Sequence, residues 1–267
     1  MELCFVERGA EGQRMMEVTH HENIRQQFAQ RILTYERAAR WMLNPDLLQA
    51  QREAAGPAPT DARECLDLCC GTGIVGRNLL DLGWKVRGLD LTPEMAYVGS
   101  QHFPVKIGSV EEIPFPDNTF DLTILRQSFM LVDGEKTLRE IHRILKPGGR
   151  FILIQSVAFS SEDDKVYEEV QRARHINLLT YYRDEDLRLA LEKAGLKVIG
   201  HDTLRVRESV DHWLNSAPEL APALRQRIRD LIAHAPSGYQ QARAVEINGG
   251  ELFEDWNWLI LTGQKAF

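Results

Sequence analysis

The stretch ECLDLCCGTG, residues 64–73, decides the fold of this chain. It begins as a short apolar run and passes through a turn containing Gly71 and Gly73 into a segment with helical periodicity. Glycines let a backbone approach a ligand closely, and the amino terminus of a helix offers free N–H groups and the positive end of a dipole. The stretch therefore predicts a strand, a ligand-binding turn and a helix in succession.

The same alternation of short apolar runs and amphipathic segments continues from residue 64 toward the carboxyl terminus. Strands alternating with helices indicate a mostly parallel sheet that is covered on both faces. We therefore predict an α/β fold with a doubly wound, mostly parallel, seven-stranded sheet. The predicted strands are at about 64–69, 85–90, 105–108, 121–126, 150–157, 196–205 and 256–264, with helices near 74–83, 93–101 and 135–146.

The regions on either side of this core are predicted to be helical. Apolar residues recur at three- to four-residue intervals between 20 and 52, and GPAPTDA at 56–62 is typical of a linker. We therefore expect an N-terminal helical cap at 1–60 and a main domain at 61–267. Long helical inserts at about 158–183 and 206–250, which are rich in Trp, Tyr and His, are candidate lid elements.

Composition narrows the possible functions. The chain has 267 residues, 43% of them hydrophobic and 27% charged, which is typical of an ordinary globular protein with a large core. A net charge of -7 disfavours nucleic acid and anionic membranes as partners, and no apolar stretch reaches the roughly 20 residues that span a bilayer. Glu2, Glu7 and Arg8 stand where a signal peptide would need an apolar core, so we expect a cytoplasmic protein. Four cysteines without a second CxxC predict buried thiols and no metal site.

The glycine pattern alone leaves two ligands open. Gly71, Gly73 and Gly76 also satisfy the dinucleotide fingerprint, and Asp90, at the end of the second predicted strand, suits the ribose of either NAD or S-adenosylmethionine. Asp67 places a negative charge beside the loop, which disfavours a pyrophosphate and favours a cationic ammonium group. No Tyr of the chain is followed four residues later by Lys, so the hydride-transfer interpretation is weakened.

Four blocks, in this order, carry a resemblance to a known family. They are LDLCCGTG at 66–73, GLDLTPEM at 88–95, GSVEEIPFPDNTFDLTILRQ at 108–127 and LREIHRILKPGGRFIL at 138–153. The chain resembles the class I S-adenosylmethionine-dependent methyltransferases with a Rossmann-like fold, in particular the branch of the ubiquinone and menaquinone biosynthetic enzymes and their small-molecule relatives. The resemblance implies S-adenosylmethionine as cofactor and a small-molecule acceptor as partner.

The resemblance implies roles at the methionine end of the cofactor. Gly71 and Gly73 would lie under the methionine, with Asp67 near its ammonium group through backbone or water. Arg126, just past the fourth predicted strand, would border the methionyl group. Tyr35 resembles a residue that closes over the methionine end.

It also implies roles at the nucleoside end. Asp90 would hold the ribose, and Leu91 would pack on the adenine. Ser109 and Val110 would lie at the adenine edge, where relatives usually carry Asp in place of the serine. Cys69 occupies the position of the family's usual first glycine.

The chemistry of the reaction leaves the catalytic residues open. A sulfonium is already activated for displacement, so alignment of donor and acceptor and exclusion of water can carry most of the rate. A general base is needed only if the acceptor must lose a proton. Candidates for that base, none of which the sequence singles out, are His20, His21, His175, Tyr181, Tyr182, His201 and His212.

Three functions remain open from the sequence. The leading one is transfer of a methyl group from S-adenosylmethionine to a small molecule by in-line displacement. An alternative is an enzyme that consumes the sulfonium by another route, such as an intramolecular cyclisation that releases methylthioadenosine. A third is a non-catalytic S-adenosylmethionine-binding partner subunit. A nucleic-acid methyltransferase is disfavoured, because the chain has no Asn-Pro-Pro-aromatic or Asp-Pro-Pro-aromatic motif. Sequence does not predict the oligomeric state.

Overall fold

The computed structural model describes residues 10–33, 35–38, 40–59 and 63–267. Within these ranges a single mixed sheet forms the centre of the molecule. Cys4 lies outside the described residues. The strands are β1 (Glu64–Leu68), β2 (Lys85–Asp90), β3 (Val105–Ile107), β4 (Phe120–Arg126), β5 (Leu145–Val157), β6 (Leu196–Ser209), β7 (Glu246–Asn248) and β8 (Glu251–Lys265).

The sheet has the order β3-β2-β1-β4-β5-β8-β6, with β7 paired to β8 alone. The pairings among β1 to β5 are parallel, whereas β8 runs antiparallel to both β5 and β6. The chain moves outward from β1 to β3 and then returns to place β4 on the other side of β1. Ligands of open α/β sheets bind at such a reversal, outside the carboxyl ends of the strands.

Helices precede the sheet and cover it. Asn44 caps α3 by accepting a hydrogen bond from the Leu47 N–H at 2.9 Å, which explains why Asn44-Pro45 interrupts the helical pattern. The helices are α1 (Ala10–Arg31), α2 (Tyr35–Ala38), α3 (Pro45–Ala55), α4 (Ile74–Arg77), α5 (Pro93–Gly99), α6 (Gly134–Ile144), α7 (Ser161–Arg174), α8 (Asp184–Lys193), α9 (Val210–Asn215), α10 (Pro222–Ala233) and α11 (Ser237–Ala242).

Apolar side chains fill the space on both faces of the sheet, as expected for buried parallel strands. Leu122 and Ile124 of β4 belong to a cluster on one face that includes Trp256 and Trp258 of β8. The neighbouring Leu125 belongs to a second cluster with Phe129, on the opposite face. The alternation along β4 therefore divides the core into two layers, and both tryptophans of β8 are core residues.

All seven predicted strands are present, but the described sheet contains eight strands, so the predicted number is too low by one. The missing strand, β7, has only three residues and forms a hairpin with β8 through Gly249 and Gly250, both at positive φ. A strand so short carries no readable alternation of polar and apolar residues. The predicted insert at 206–250 also begins too early, because β6 extends to Ser209.

A buried ion pair ties the two inserts to the sheet. The Arg243 side chain, which is fully buried, donates from Nε to Asp163 Oδ2 at 2.7 Å and from Nη2 to the Val157 carbonyl at 3.3 Å. Its guanidinium group also lies 3.7 Å from the centre of the Tyr167 ring. Residues from α7, from the end of α11 and from β5 therefore meet in one polar contact inside the core.

None of the helices within the described residues has both the length and the apolar character that crossing a membrane requires.

Candidate active site

The turn after β1 and the end of β2 form one hydrogen-bonded unit. Asp90 is 8% exposed, and its Oδ2 accepts the Gly71 N–H at 2.7 Å while its Oδ1 accepts the Thr92 N–H at 2.8 Å. Gly71 has φ of 53° and Gly73 has φ of 84°, which is the left-handed region that glycine adopts without strain. The carboxylate of β2 thus holds the glycine turn of β1 in place.

Cys69 departs from the family's usual glycine at a position where the departure costs strain. It has φ of 53°, a conformation that L residues other than Asn and Asp adopt rarely. Cys65 and Cys70 are buried, as predicted, whereas Cys69 is partly exposed. The Cys69 side chain lines a cavity beside the turn, so the prediction of a buried thiol is wrong at this position.

This first cavity lies at the carboxyl ends of β1 and β2 and has a volume of about 610 Å³. Six of the nine predicted site residues line it: Tyr35, Gly71, Asp90, Leu91, Ser109 and Val110. The other lining residues are His21, Ile24, Phe28, Cys69, Thr92, Met95, Gly108, Ser128, Leu131 and Val132.

The remaining three predicted residues lie elsewhere. Asp67 is buried beneath the turn, where its Oδ2 accepts the Gly76 N–H at 2.8 Å, so it caps α4 rather than facing the cavity. A Cβ added at Gly73 would lie 3.2 Å from the Phe103 ring, so Gly73 faces the packed core. Arg126 lines a second cavity.

Burial raises the pKa of two carboxyl groups at the site. Desolvation raises the pKa of Asp90 from 3.8 to about 6, although the N–H groups of Thr92 and Gly71 act in the opposite direction. Desolvation also raises the pKa of Asp67 to about 7. At neutral pH the Asp90 carboxylate is therefore charged, and besides the two N–H groups and the Thr92 side chain it retains capacity to accept a further donor.

Tyr35 closes the first cavity over the glycine turn. A Cβ added at Gly71 would lie 3.4 Å from Cε1 of the Tyr35 ring. Burial, followed by the charge of Asp90, raises the pKa of the Tyr35 hydroxyl to about 12, so this group is neutral at physiological pH. The ring is therefore a neutral cover at the place that the resemblance assigns to the methionine end.

Helix α1 covers the first cavity. Its Arg25 Nε donates to the Leu91 carbonyl at 3.2 Å, and Ile24 and Phe28 face the cavity. His20 Nε2 lies 2.8 Å from the Leu131 carbonyl oxygen. The helix thus contacts the segments that follow both β2 and β4.

The second cavity adjoins the first and has a volume of about 660 Å³. The two cavities share four lining residues, Phe28, Tyr35, Ser128 and Leu131. The other lining residues of the second cavity are Gln27, Arg31, Trp41, Met42, Arg126, Gln127, Met130, Arg174, His175, Trp213 and Ser216. The helical cap, the turn after β4 and both inserts therefore meet here.

Sequence reasoning missed most of this second cavity. Arg174, the last residue of α7, was not singled out by any motif. Trp213 and Met130, together with Phe129, were named as residues that could shape an apolar acceptor pocket, and Trp213 and Met130 do line the cavity. Phe129 is fully buried in the core instead. A cation in the last turn of a helix is so common that position alone is no signal for Arg174. Phe129 and Met130, which follow the fourth predicted strand, and Trp213 in the second insert are the residues for which the sequence does give a signal, since ligands of open α/β sheets bind at that edge.

The structure also separates the candidate bases. His21 lines the first cavity and His175 lines the second. The Tyr181 hydroxyl donates to Asp164 at 2.9 Å, and His201 is an exposed residue 2.7 Å from Asp184. Among the candidates, His21 and His175 therefore line the first and second cavities, whereas Tyr181 and Tyr182 line a separate, smaller one.

One group of potential metal ligands occurs in the described part of the chain: Glu17, His21 and Glu111, at the edge of the first cavity. His21 Nε2 lies 3.3 Å from Glu111, and Lys136 Nζ lies 2.8 Å from Glu17. The lysine already neutralises one of the two carboxylates, so the group is an ion-pair network between α1 and the loops under it. The absence of a metal stays a prediction.

Part of this site lies in a segment that matches a known family. Residues 66–153 match the family described as a methyltransferase domain. The predicted resemblance is confirmed for this segment, which holds the glycine turn, Asp90, Leu91, Ser109 and Arg126.

Relatives and solved structures extend this finding. The chain is 24% identical over 203 residues to the sterol 4-C-methyltransferase strm-1 of Caenorhabditis elegans, covering 66% of this chain and 60% of that protein. It is 37% identical over 106 residues to the demethylmenaquinone methyltransferase of Symbiobacterium thermophilum, covering 34% of this chain and 41% of that protein. The chain therefore spans between 41% and 60% of the length of these curated relatives.

The fold itself has a well-matched solved counterpart. A Bacillus halodurans protein described as a methyltransferase candidate superposes with a TM-score of 0.74 at 21% identity, covering 82% of this chain and 99% of that chain. This likeness confirms the predicted α/β fold with a Rossmann-like, mostly parallel sheet.

Proposed function

We propose that this protein transfers a methyl group from S-adenosylmethionine to a small-molecule acceptor. The observation that carries the proposal is the pair of adjoining cavities, one beside Asp90 and the glycine turn, the other beside Arg126, with Tyr35 in the wall of both. A donor and an acceptor held in these cavities would meet at the shared wall, which is the arrangement that an in-line displacement needs.

The first cavity suits the nucleoside of the donor. The Asp90 carboxylate can accept the ribose hydroxyls, because each oxygen is engaged by only one backbone N–H. Leu91, Met95 and Val110 provide apolar walls for the adenine. Ser109 is a weak anchor at the adenine edge, because its Oγ already accepts the Glu111 N–H at 3.1 Å.

The charge of the first cavity suits the donor as well. Its described lining contains the carboxylate of Asp90 and neither Lys nor Arg. A positively charged sulfonium is favoured by such a wall, whereas a pyrophosphate is repelled. This distinction supports S-adenosylmethionine over a dinucleotide.

Bound S-adenosylmethionine would supply a methyl group that is already activated for displacement. The chain's own contribution is to orient the two ligands and to exclude water. Tyr35 and Phe28 provide the apolar part of the shared wall, and α1 covers both cavities. Arg126, whose pKa burial lowers to about 10, stays protonated and can bind the methionyl carboxylate.

Asp67 has a supporting part in this proposal. It lies beneath the turn rather than in the cavity, and its contact with the Gly76 N–H fixes the start of α4. Gly73 likewise allows the Phe103 ring to pack under the turn. We therefore propose that both residues shape the cofactor site from below.

Isothermal titration calorimetry of the full chain with S-adenosylmethionine and S-adenosylhomocysteine tests the cofactor. We expect saturable one-to-one binding of both ligands. Absence of binding to both at millimolar concentration contradicts the proposal.

Product analysis tests the reaction. The enzyme is incubated with S-adenosylmethionine and a panel of small-molecule acceptors, and the nucleoside products are separated by mass spectrometry. S-Adenosylhomocysteine that forms only with an acceptor supports methyl transfer. Methylthioadenosine that forms without an acceptor identifies the sulfonium-consuming alternative, and binding without turnover over the whole panel identifies a partner subunit.

A further inference from the structure

The second cavity has an unusual charge. Its described lining contains three arginines, Arg31, Arg126 and Arg174, and no Asp or Glu. Arg31 is neutralised by an ion pair with Glu219, which lies outside the cavity wall. Arg126 and Arg174 have no carboxylate at ion-pair distance among the residues that the structure describes. Two buried positive charges therefore remain without a counter-charge.

Arg174 is the more deeply buried of these two groups. It is 2% exposed, and its Nη2 donates to the Ser216 hydroxyl at 3.1 Å and to the Trp213 carbonyl at 3.3 Å. Its guanidinium group lies 5.1 Å from the centre of the Trp213 ring. Every one of these contacts is with a neutral group, whereas buried charges are ordinarily paired.

The charged groups that act on Arg174 are more often positive than negative. Burial lowers the pKa of Arg174 to about 9, the positive charges of Arg31 and Arg225 act in the same direction, and Glu219 alone opposes them. At neutral pH the guanidinium is still protonated. Three arginines thus surround a single carboxylate, and that carboxylate is already bound to Arg31.

Hydrogen-bond donors without partners occur in the same wall. Five atoms in this wall are buried and have no hydrogen-bond partner within the part of the chain that the structure describes: Nε and Nη1 of Arg174, Nη1 of Arg126, Nε1 of Trp41 and Nε2 of His175. Burial, followed by the charges of Arg174 and Arg31, holds the pKa of His175 well below its usual value, so this ring is neutral and can donate one N–H. The cavity thus offers donors in excess and suits a group that only accepts.

We propose that Arg174, assisted by the neutral His175, binds an anionic group, a carboxylate or a phosphate, of the methyl acceptor. The proposal rests on the proposed function for the statement that the occupant is an acceptor. The rings of Trp41 and Trp213, with Met130 and Leu131, surround the apolar body of that molecule. The acceptor class is therefore an amphipathic organic anion.

Arg126 and Arg174 are assigned to different ligands. Its charge interacts with Tyr35 and Asp67, the groups next to the glycine turn, so it lies at the donor side of the second cavity. Arg174 interacts instead with Arg31, Glu219 and Arg225. The two guanidiniums thus have different charged neighbours, and only Arg174 is assigned to the acceptor.

Calorimetry with matched probes tests this subsite. The full chain is titrated with 1-naphthoate, its neutral isostere 1-naphthamide and 1-naphthyl phosphate, with and without S-adenosylhomocysteine. We expect at least one of the two anions to bind about tenfold or more tightly than the amide, because the anion gains charged hydrogen bonds that the amide lacks. The better of the two anions distinguishes a carboxylate site from a phosphate site.

Variants of Arg174 show where the preference arises. In Arg174→Gln the anion is expected to lose about tenfold or more in affinity, while naphthamide binds as before. Arg174→Lys, which keeps the charge, is expected to restore part of the preference. The matched control is Arg172→Gln, on the same helix but exposed and paired with Glu168, which should leave all affinities unchanged.

Two readouts separate this proposal from a structural role and from the proposed function. Removal of an unpaired buried charge should leave the melting temperature of Arg174→Gln unchanged or higher, whereas a structural arginine would lower it. Binding of S-adenosylhomocysteine to the same variant reports on the cofactor site independently. Equal affinity for anions and amide, an anion preference that survives Arg174→Gln, or no anion binding by a protein that binds S-adenosylhomocysteine overturns the assignment.

Discussion

Replacement of Asp90 by alanine distinguishes a carboxylate that binds ligand from one that only holds the glycine turn. The substitution leaves the buried N–H groups of Gly71 and Thr92 without their acceptors at 2.7 and 2.8 Å. An unsatisfied buried donor costs about 1–3 kcal/mol. If the Asp90 carboxylate only supports the structure, its removal should therefore lower the free energy of unfolding.

Removal of the buried charge acts in the opposite direction. The pKa of Asp90 is raised from 3.8 to about 6, which corresponds to roughly 3 kcal/mol of unfavourable free energy at neutral pH. Because the folded pKa lies above the unfolded value, this cost is present above pH 6 and disappears as the pH falls below about 4. We expect the free energy of unfolding at pH 7 to fall by no more than about 3 kcal/mol in Asp90→Ala.

The affinity for the cofactor should respond differently. Loss of charged hydrogen bonds to the ribose is expected to weaken S-adenosylhomocysteine binding by about 1–3 kcal/mol, or about five- to 150-fold. Urea unfolding and calorimetry on the same preparation measure both quantities. The control is Asp202→Ala, an exposed carboxylate on β6 far along the sheet from β2. A folded Asp90→Ala protein that binds S-adenosylhomocysteine with wild-type affinity refutes the assigned role.

Three further outcomes follow from the described contacts. Gly71→Ala should lower the free energy of unfolding by about 1–2 kcal/mol, because φ is 53° there, and should weaken S-adenosylhomocysteine binding because a methyl group enters the cavity wall beside the Tyr35 ring; urea unfolding and calorimetry check both effects. Affinity for S-adenosylhomocysteine should fall as the pH drops below 6, because Asp90 becomes protonated there. Calorimetry from about pH 5 to about pH 8 measures this dependence, and an affinity that stays constant over the range would contradict the prediction. Arg243→Met leaves the buried Asp163 unpaired and should cost about 3–5 kcal/mol in a denaturant titration, a loss that an unchanged midpoint would exclude.

Local sequence patterns predicted the sheet because the decisive signals lie within single elements. The apolar runs of β1, β2 and β4 are short and continuous, as in buried parallel strands, and glycine turns or helix caps punctuate them. The position of Asp90 beside the turn after β1 also follows from the order of parallel strands, since their carboxyl ends meet at one edge. Five of the nine proposed site residues line one cavity for this reason, and Tyr35 joins them from helix α2.

The remaining features depend on contacts between distant segments. Gly73 follows the glycine pattern, yet the reason for a glycine there is the Phe103 ring. Asp67 carries a charge that suggests an exposed position beside a ligand, yet the start of α4 folds over it and takes its carboxylate as a cap. Arg174 is separated in sequence from Trp213 and Ser216, so no local spacing signals that these residues meet.

The opposite charges of the two cavities bear on how the ligands would be oriented. The first cavity presents Asp90 without a cationic partner in its described lining, and the second presents Arg174 and Arg126 without an anionic one. Under the proposed function, an acceptor anion placed in the first cavity would meet the Asp90 carboxylate, and a sulfonium placed in the second would meet two guanidiniums. In desolvated cavities, charge repulsion of this kind costs several kcal/mol for like charges in close contact. The sulfonium and the acceptor anion are thereby directed to different cavities, Arg126 serves the methionyl carboxylate of the donor, and the uncharged wall at Tyr35 is left as the place where the reacting atoms approach each other.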